Sequence, residues 1–223
     1  PDLRTPGERT AANIRALQIL GRGGAILPEE RLQLRDYTGL GGLSREVHAK
    51  HVAEEWLPEA RGAIHEYYTP TLVASALAAA VRPRLASLAR EDGTVVALEP
   101  SAGIGRLIEA CSGPGFESVR FYACEYSRVS GRILQALRPD VDTFIGPFEQ
   151  WVMDHAHLAG ELGLVVANPP YGIRGASEVL DKDRTYREHK AYAYFMRRAL
   201  DFLRAGGLGV FLVPYGFLTG ATP

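Results

Sequence analysis

From about Tyr67 onward, short apolar runs alternate with longer stretches whose apolar positions recur every three or four residues. The runs are Thr94 to Leu98, Val119 to Cys124, Val141 to Ile145, Leu162 to Ala167 and Leu208 to Val213. They are rich in valine and too short for buried helices, so they predict five strands. Between them, helices are predicted from Thr69-Pro70 toward Val81, over Arg106 to Ala110, over Ser127 to Leu137, and as one long helix from Tyr186 to Arg204. Strands and helices alternating at this spacing predict an α/β fold with a doubly wound, mostly parallel sheet.

The first sixty residues carry only the helical period. Thr5-Pro6-Gly7-Glu8 has capping-box spacing with proline at the first helical position, and Ile14, Leu17 and Leu20 follow on one face. Gly21 to Gly24 ends this helix, and Pro28 opens a second that runs to about Tyr37. Tyr37-Thr38-Gly39-Leu40-Gly41-Gly42-Leu43 reads as a glycine-rich loop. Ser44 caps a third helix expected to reach Trp56 before Pro58. The expected organisation is a helical N-terminal extension over 1–62 and an α/β core over 63–223.

Composition narrows the class without naming a function. With 46% hydrophobic and 23% charged residues over 223 positions, the chain can bury a core and is not of disordered type. Its most apolar window, Leu72 to Val81, is short and alanine-rich, so it reads as a buried helix and not a membrane span. The polar N-terminus lacks a secretory pattern, and Cys111 and Cys124 are not spaced as a redox or metal pair. The expected setting is reducing and cytoplasmic. His155 and His157 alternate without further ligands, so no metal centre is expected. A net charge of -1 gives no global attraction to nucleic acid. Arg174, Lys182, Arg184, Arg187 and Lys190, and then Arg197-Arg198, form local basic clusters, with Glu178, Asp181, Asp183 and Glu188 interleaved. These read either as a polyanion contact or as a solvated mixed-charge surface.

In such sheets ligands bind beyond the carboxyl ends of the strands. Glu99, Glu125, Phe148 and Asn168 are placed there. Glu99-Pro100-Ser101-Ala102-Gly103-Ile104-Gly105 is a glycine-rich turn that lets a ligand approach the backbone. A dinucleotide site wants a third glycine three residues after Gly105, where Ile108 stands, and this disfavours a nicotinamide-dependent dehydrogenase. An acid at the strand end suits a ligand with a cationic amino group and no phosphate, such as S-adenosylmethionine; an ordinary tight strand–helix turn is the alternative. Glu125, ending the second strand, is placed to accept hydrogen bonds from a ribose diol.

The most specific signal is Asn168-Pro169-Pro170-Tyr171 at the end of the fourth strand. With proline at about 5% usage, it arises by chance in a chain of this length roughly once in a thousand. An aromatic amino nitrogen is a poor nucleophile because its lone pair is delocalised into the ring. The Asn168 side-chain oxygen and the Pro169 carbonyl can both accept from such an amino group, drawing it toward tetrahedral geometry. The prolines fix the backbone, and the tyrosine ring offers a face for an extruded base.

These residues resemble the adenine-specific (N6) DNA methyltransferases of γ-type motif order, over about Tyr67 to Leu218. Tyr68-Thr69-Pro70 is similar to the element that precedes the glycine turn in that family, and it also fits a threonine N-cap followed by a first-turn proline. The resemblance implies a Rossmann-like class I methyltransferase sheet with S-adenosylmethionine as cofactor and DNA as partner. Tyr68, Thr69 and Pro70 would contact the methionine end, and Glu99, Ser101, Gly103 and Gly105 would form its pocket. Glu125 would hold the ribose, Phe148 would flank the adenine ring, and Asn168, Pro169, Pro170 and Tyr171 would hold the target base. Tyr37 to Leu43 is similar to a loop in phage- and plasmid-associated methylase–helicase proteins, which suggests a restriction-modification, defence or mobile-element setting.

The chain departs from the pattern at Pro147, where the family often has an acid for the cofactor's adenine; Glu149 is the nearest substitute. The family's later strands, second base-stacking aromatic and target-recognition domain are not seen before Pro223. The core is therefore expected to be incomplete after its fifth strand and completed by another segment or subunit. Two other readings remain open. A protein-glutamine or ribosomal RNA amino methyltransferase would use the same chemistry. A cofactor-holding or scaffold subunit would have no activity of its own.

Overall fold

The structure is a computed structural model that describes residues 4–58, 68–172 and 181–219. Five strands, β1 (Val95–Glu99), β2 (Val119–Glu125), β3 (Asp142–Ile145), β4 (Leu162–Ala167) and β5 (Leu203–Phe211), form one sheet in the order β3-β2-β1-β4-β5. Every pairing is parallel, with Glu99 opposite Ala123 and Ala167 opposite Phe211. The strand order reverses between β1 and β4. Their carboxyl ends, carrying Glu99 and the turn that starts at Asn168, therefore open onto the crevice where doubly wound sheets take ligands. β4 is buried along its whole length, as its unbroken apolar run requires.

Helices α1 (Pro6–Arg22), α2 (Pro28–Arg35) and α3 (Arg45–Ala49) make up the N-terminal part. The capping box forms as expected: Thr5 N donates to Glu8 Oε2 at 2.7 Å, and Glu8 N donates to Thr5 Oγ1 at 3.3 Å. The expected continuous helix to Trp56 does not form. α3 ends at Ala49, a 3-10 turn follows at Glu54–Trp56, and Arg45 folds back to donate to the Pro58 carbonyl at 3.0 Å and to pair with Glu54.

Helices α4 (Thr71–Val81), α5 (Leu85–Leu88), α6 (Arg106–Ala110), α7 (Arg128–Leu137), α8 (Phe148–Asp154), α9 (Ala191–Leu200) and α10 (Tyr215–Thr219) complete the described elements. The expected long helix from Tyr186 to Arg204 is a correction. Asp183 caps a 3-10 turn at Arg184–Tyr186, and the α-helix occupies only Ala191–Leu200. The chain enters β5 at Leu203, five residues before the expected strand start. Leu203 pairs with Leu162 and Leu208 with Leu164, so the residues around Gly206 (φ +78°) loop out of register. The helical period of 186–204 thus gives way where Phe202 enters the core and its carbonyl accepts from Leu162 N at 2.8 Å.

The N-terminal helices share a core with the sheet's own helices. Leu17, Leu20, Leu34, Tyr37 and Leu40 cluster with Ile104 of the glycine turn and with Val129 and Ile133 of α7. Among the described residues, no helix is long and apolar enough to cross a membrane, and no group of three or more His, Cys, Asp or Glu could hold a metal ion.

Candidate active site

β1 delivers Glu99 into the crevice with 2% of its surface exposed. One carboxylate oxygen, Oε2, is buried and has no hydrogen-bond partner. Burial, and next the nearby Glu125 carboxylate, push the Glu99 pKa well above the usual carboxylate range. A buried acid held this way favours a cation brought to it.

The glycine turn follows. Gly103 (φ +56°) and Gly105 (φ +85°) both adopt left-handed backbone. A Cβ at Gly103 would lie 2.7 Å from Tyr68 Cδ1, so only glycine lets the tyrosine ring cover the turn. Tyr68 is fixed from two sides. Its hydroxyl shares a 2.7 Å hydrogen bond with Ser130 Oγ of α7, and its ring centroid lies 6.0 Å from that of the buried Tyr37. Glu125, at the end of β2, accepts from Gly103 N at 2.6 Å and from Ser127 N at 2.7 Å. It thereby ties the turn to the start of α7.

Asn168 ends β4 with both its backbone and its side chain held. Its carbonyl accepts from Ser101 Oγ at 3.1 Å, and its Nδ2 donates to Thr69 Oγ1 at 3.1 Å. Thr69 is not the N-cap of α4, contrary to the local reading of Thr69-Pro70. Pro70 occupies that position, and the threonine hydroxyl faces Asn168 instead. Asn168 Oδ1 accepts from the Tyr171 hydroxyl at 2.8 Å, and this hydroxyl also lies 3.2 Å from the Leu212 carbonyl. The Tyr171 ring is 46% exposed. The Pro169 carbonyl takes no hydrogen bond among the described residues.

Tyr68, Thr69, Glu99, Ser101, Ala102, Gly103, Arg106 and Asn168 line one cleft with about 260 Å³ of empty space, open to solvent. No local signal in the sequence marks Arg106 or Ala102 for the cleft; Arg106 directly follows Gly105, and it donates to the Arg35 carbonyl at 2.7 Å. Phe148 is not brought to this cleft. It is 2% exposed at the start of α8, stacked on Phe195 at 5.0 Å and on Trp151 at 5.8 Å. Pro147 is the N-cap of α8, and Glu149 is buried on that helix. Arg174 lies outside the described residues.

The architecture is that of the class I S-adenosylmethionine-dependent methyltransferases. A protein from Listeria monocytogenes described as such an enzyme superposes with a TM-score of 0.53 at 16% identity, over 95% of this chain and 75% of that one. The methyltransferase subunit of a type I restriction-modification system from Streptococcus thermophilus superposes with a TM-score of 0.52 at 15% identity, over 68% of this chain and 35% of that one. Residues 132–223 match the Eco57I restriction-modification methylase family. The solved structures share this chain's fold, and the family match covers its C-terminal part. The chain is also 31% identical over 216 residues to the "Defense against restriction protein B" of Escherichia phage P1, spanning 96% of this chain but 8% of the phage protein.

Proposed function

We propose that the chain is the catalytic core of an enzyme that transfers a methyl group from S-adenosylmethionine to the N6 amino group of adenine in DNA. The observation that carries this reading is Asn168. Its side chain is oriented by Thr69 and its backbone by Ser101, at the edge of the cleft floored by Glu99.

The side chains lining the cleft suit the methionine end of the cofactor. The unpartnered Glu99 oxygen suits an ammonium group, and the Tyr68 ring packed on Gly103 walls the cleft beside it. Tyr68, Thr69, Pro70, Ser101 and Gly105 would complete the methionine end, and Glu125 would take the ribose. S-adenosylmethionine, when bound, supplies a methyl group on a positively charged sulfur. Asn168 Oδ1 has a second lone pair beyond the one given to Tyr171, and the Pro169 carbonyl lies beside it in sequence. Two acceptors on one amino group localise the nitrogen lone pair, which is what attack on that methyl requires. The exposed Tyr171 ring supplies a stacking face for a base taken out of the helix.

The names of the Eco57I family and the streptococcal subunit refer to restriction-modification, and that of the phage relative to defence against restriction. These names support a DNA acceptor in such a system, with another segment or subunit reading the sequence. Transfer of labelled methyl to adenine-containing duplex DNA, ribosomal RNA and protein tests the reading. DNA is expected to take the label, and Asn168→Ala to lose at least ~100-fold of that rate, the scale of removing one preorganised polar group. Cofactor affinity, read by calorimetry, should stay near wild type. Label confined to RNA or protein, or unimpaired transfer by Asn168→Ala, overturns it.

A further inference from the structure

The turn holding Asn168 is flanked by two elements that the chemistry does not use. The Tyr171 hydroxyl reaches the Leu212 carbonyl just past β5, and Gly172 O accepts from Ala191 N at the start of α9 at 3.0 Å. Beyond β5, Tyr215 is 80% exposed and Phe217 46% exposed, with Phe217 set edge-on to Tyr192 of α9 at 6.0 Å. With Tyr171, three large aromatic faces stand in water around one motif. Exposed aromatic clusters mark contact surfaces.

The segment leading into α9 carries the complementary charge. Its acids are engaged internally. Asp181 is buried and accepts from Tyr194 Oη at 2.8 Å and from Arg198 Nε at 2.9 Å, and Glu188 pairs with Arg197. Asp183 caps the 3-10 turn, accepting from Thr185 N at 2.9 Å. Arg198 in turn lies over the Tyr186 ring at 3.9 Å. The segment is thereby pinned to α9, while Lys182, Arg184 and Arg187 project into solvent with no ion pair among the described residues. The contacts run along α9 from Tyr192 to Arg198, about 9 Å of helix.

We propose that Lys182, Arg184 and Arg187 hold the backbone of the DNA strand that flanks the target base, and that Tyr215 stacks on a neighbouring base of that strand. Cationic side chains on a pinned backbone, beside an exposed aromatic ring, are the chemistry by which an unpaired strand is gripped. This inference rests on the function proposed above, since it takes the strand to enter at Asn168.

Fluorescence anisotropy of a labelled DNA oligonucleotide, titrated at several salt concentrations without cofactor, tests it. The K182A/R184A/R187A variant should bind at least ~10-fold more weakly, with the slope of log affinity against log salt smaller by about 2 to 3. Tyr215→Ala should weaken binding about fivefold or more with the slope unchanged. These are exposed side chains, so both variants should melt as wild type does. Wild-type affinity and slope in the triple variant, or loss of RNA binding with DNA binding intact, overturns the proposal, as does a wild-type chain that does not bind DNA. A wild type that binds DNA through this face yet methylates none refutes the function and leaves the surface standing. A triple variant that binds like wild type, while wild type methylates DNA, refutes only the surface.

Discussion

The Asn168 side-chain amide donates to Thr69 Oγ1 at 3.1 Å, joining two residues 99 positions apart in the chain. With its nitrogen committed, the amide offers Oδ1 as an acceptor, which takes the Tyr171 hydroxyl. Thr69→Ala removes this anchor without touching the cleft floor. One hydrogen bond of this kind is worth about 0.5–1.5 kcal/mol net, so methyl transfer should fall about threefold to tenfold. Thr69→Ser should restore it. Single-turnover transfer rates check both variants, and equal rates for all three proteins would remove Thr69 from the positioning of Asn168.

Tyr171 contributes its hydroxyl to Asn168 Oδ1 and its half-exposed ring to solvent. Tyr171→Phe keeps the ring and frees the acceptor, so transfer should stay within about threefold of wild type. Tyr171→Ala loses the stacking face. At about 1–3 kcal/mol per stacked base, apparent affinity for the DNA substrate should weaken by about fivefold or more. Steady-state kinetics with varied DNA concentration separate the two variants.

Glu99 makes the cofactor-free protein sensitive to pH. A carboxyl whose folded pKa lies above its unfolded value takes up a proton on folding. Its contribution is therefore fullest at low pH and is lost as pH rises from the unfolded value, near 4.5, through the raised folded one. Glu99→Gln removes that loss, so thermal melts above this window should show the variant at least as stable as wild type without cofactor. Cofactor affinity should behave oppositely. It should rise with pH in wild type, with proton release on binding, and be weaker and flat with pH in Glu99→Gln. Calorimetry in buffers of different ionisation enthalpy reads the released proton.

Tyr37 links the N-terminal helices to the site through Tyr68 and is fully buried. Tyr37→Ala opens a cavity in the cluster shared with Ile104, Val129 and Ile133. Large aromatic truncations of this kind cost about 3–5 kcal/mol. Cofactor affinity should fall along with the melting temperature, because Tyr68 loses its backing over Gly103. A stability loss with unchanged cofactor affinity would separate the N-terminal part from the site.

The sequence by itself determined the strands and the order of the site residues along the chain. Leu162–Ala167 is legible because a strand buried on both faces must be continuously apolar. The Glu99–Gly105 turn and the Asn168 motif are legible because positive backbone angles and fixed prolines demand particular residues. Tertiary structure decided what local pattern cannot encode. Thr69 satisfies helix-capping rules equally well in isolation, and only the approach of β4 makes its hydroxyl a partner of Asn168. Phe148 follows a strand in sequence, yet its ring gains more from stacking on Phe195 and Trp151 in the core than from facing the cleft. The N-terminal helices read as an extension because their apolar stripe names no partner. The partner is Ile104 in the glycine turn, and hydrophobic burial, being non-directional, is specified only once both surfaces exist.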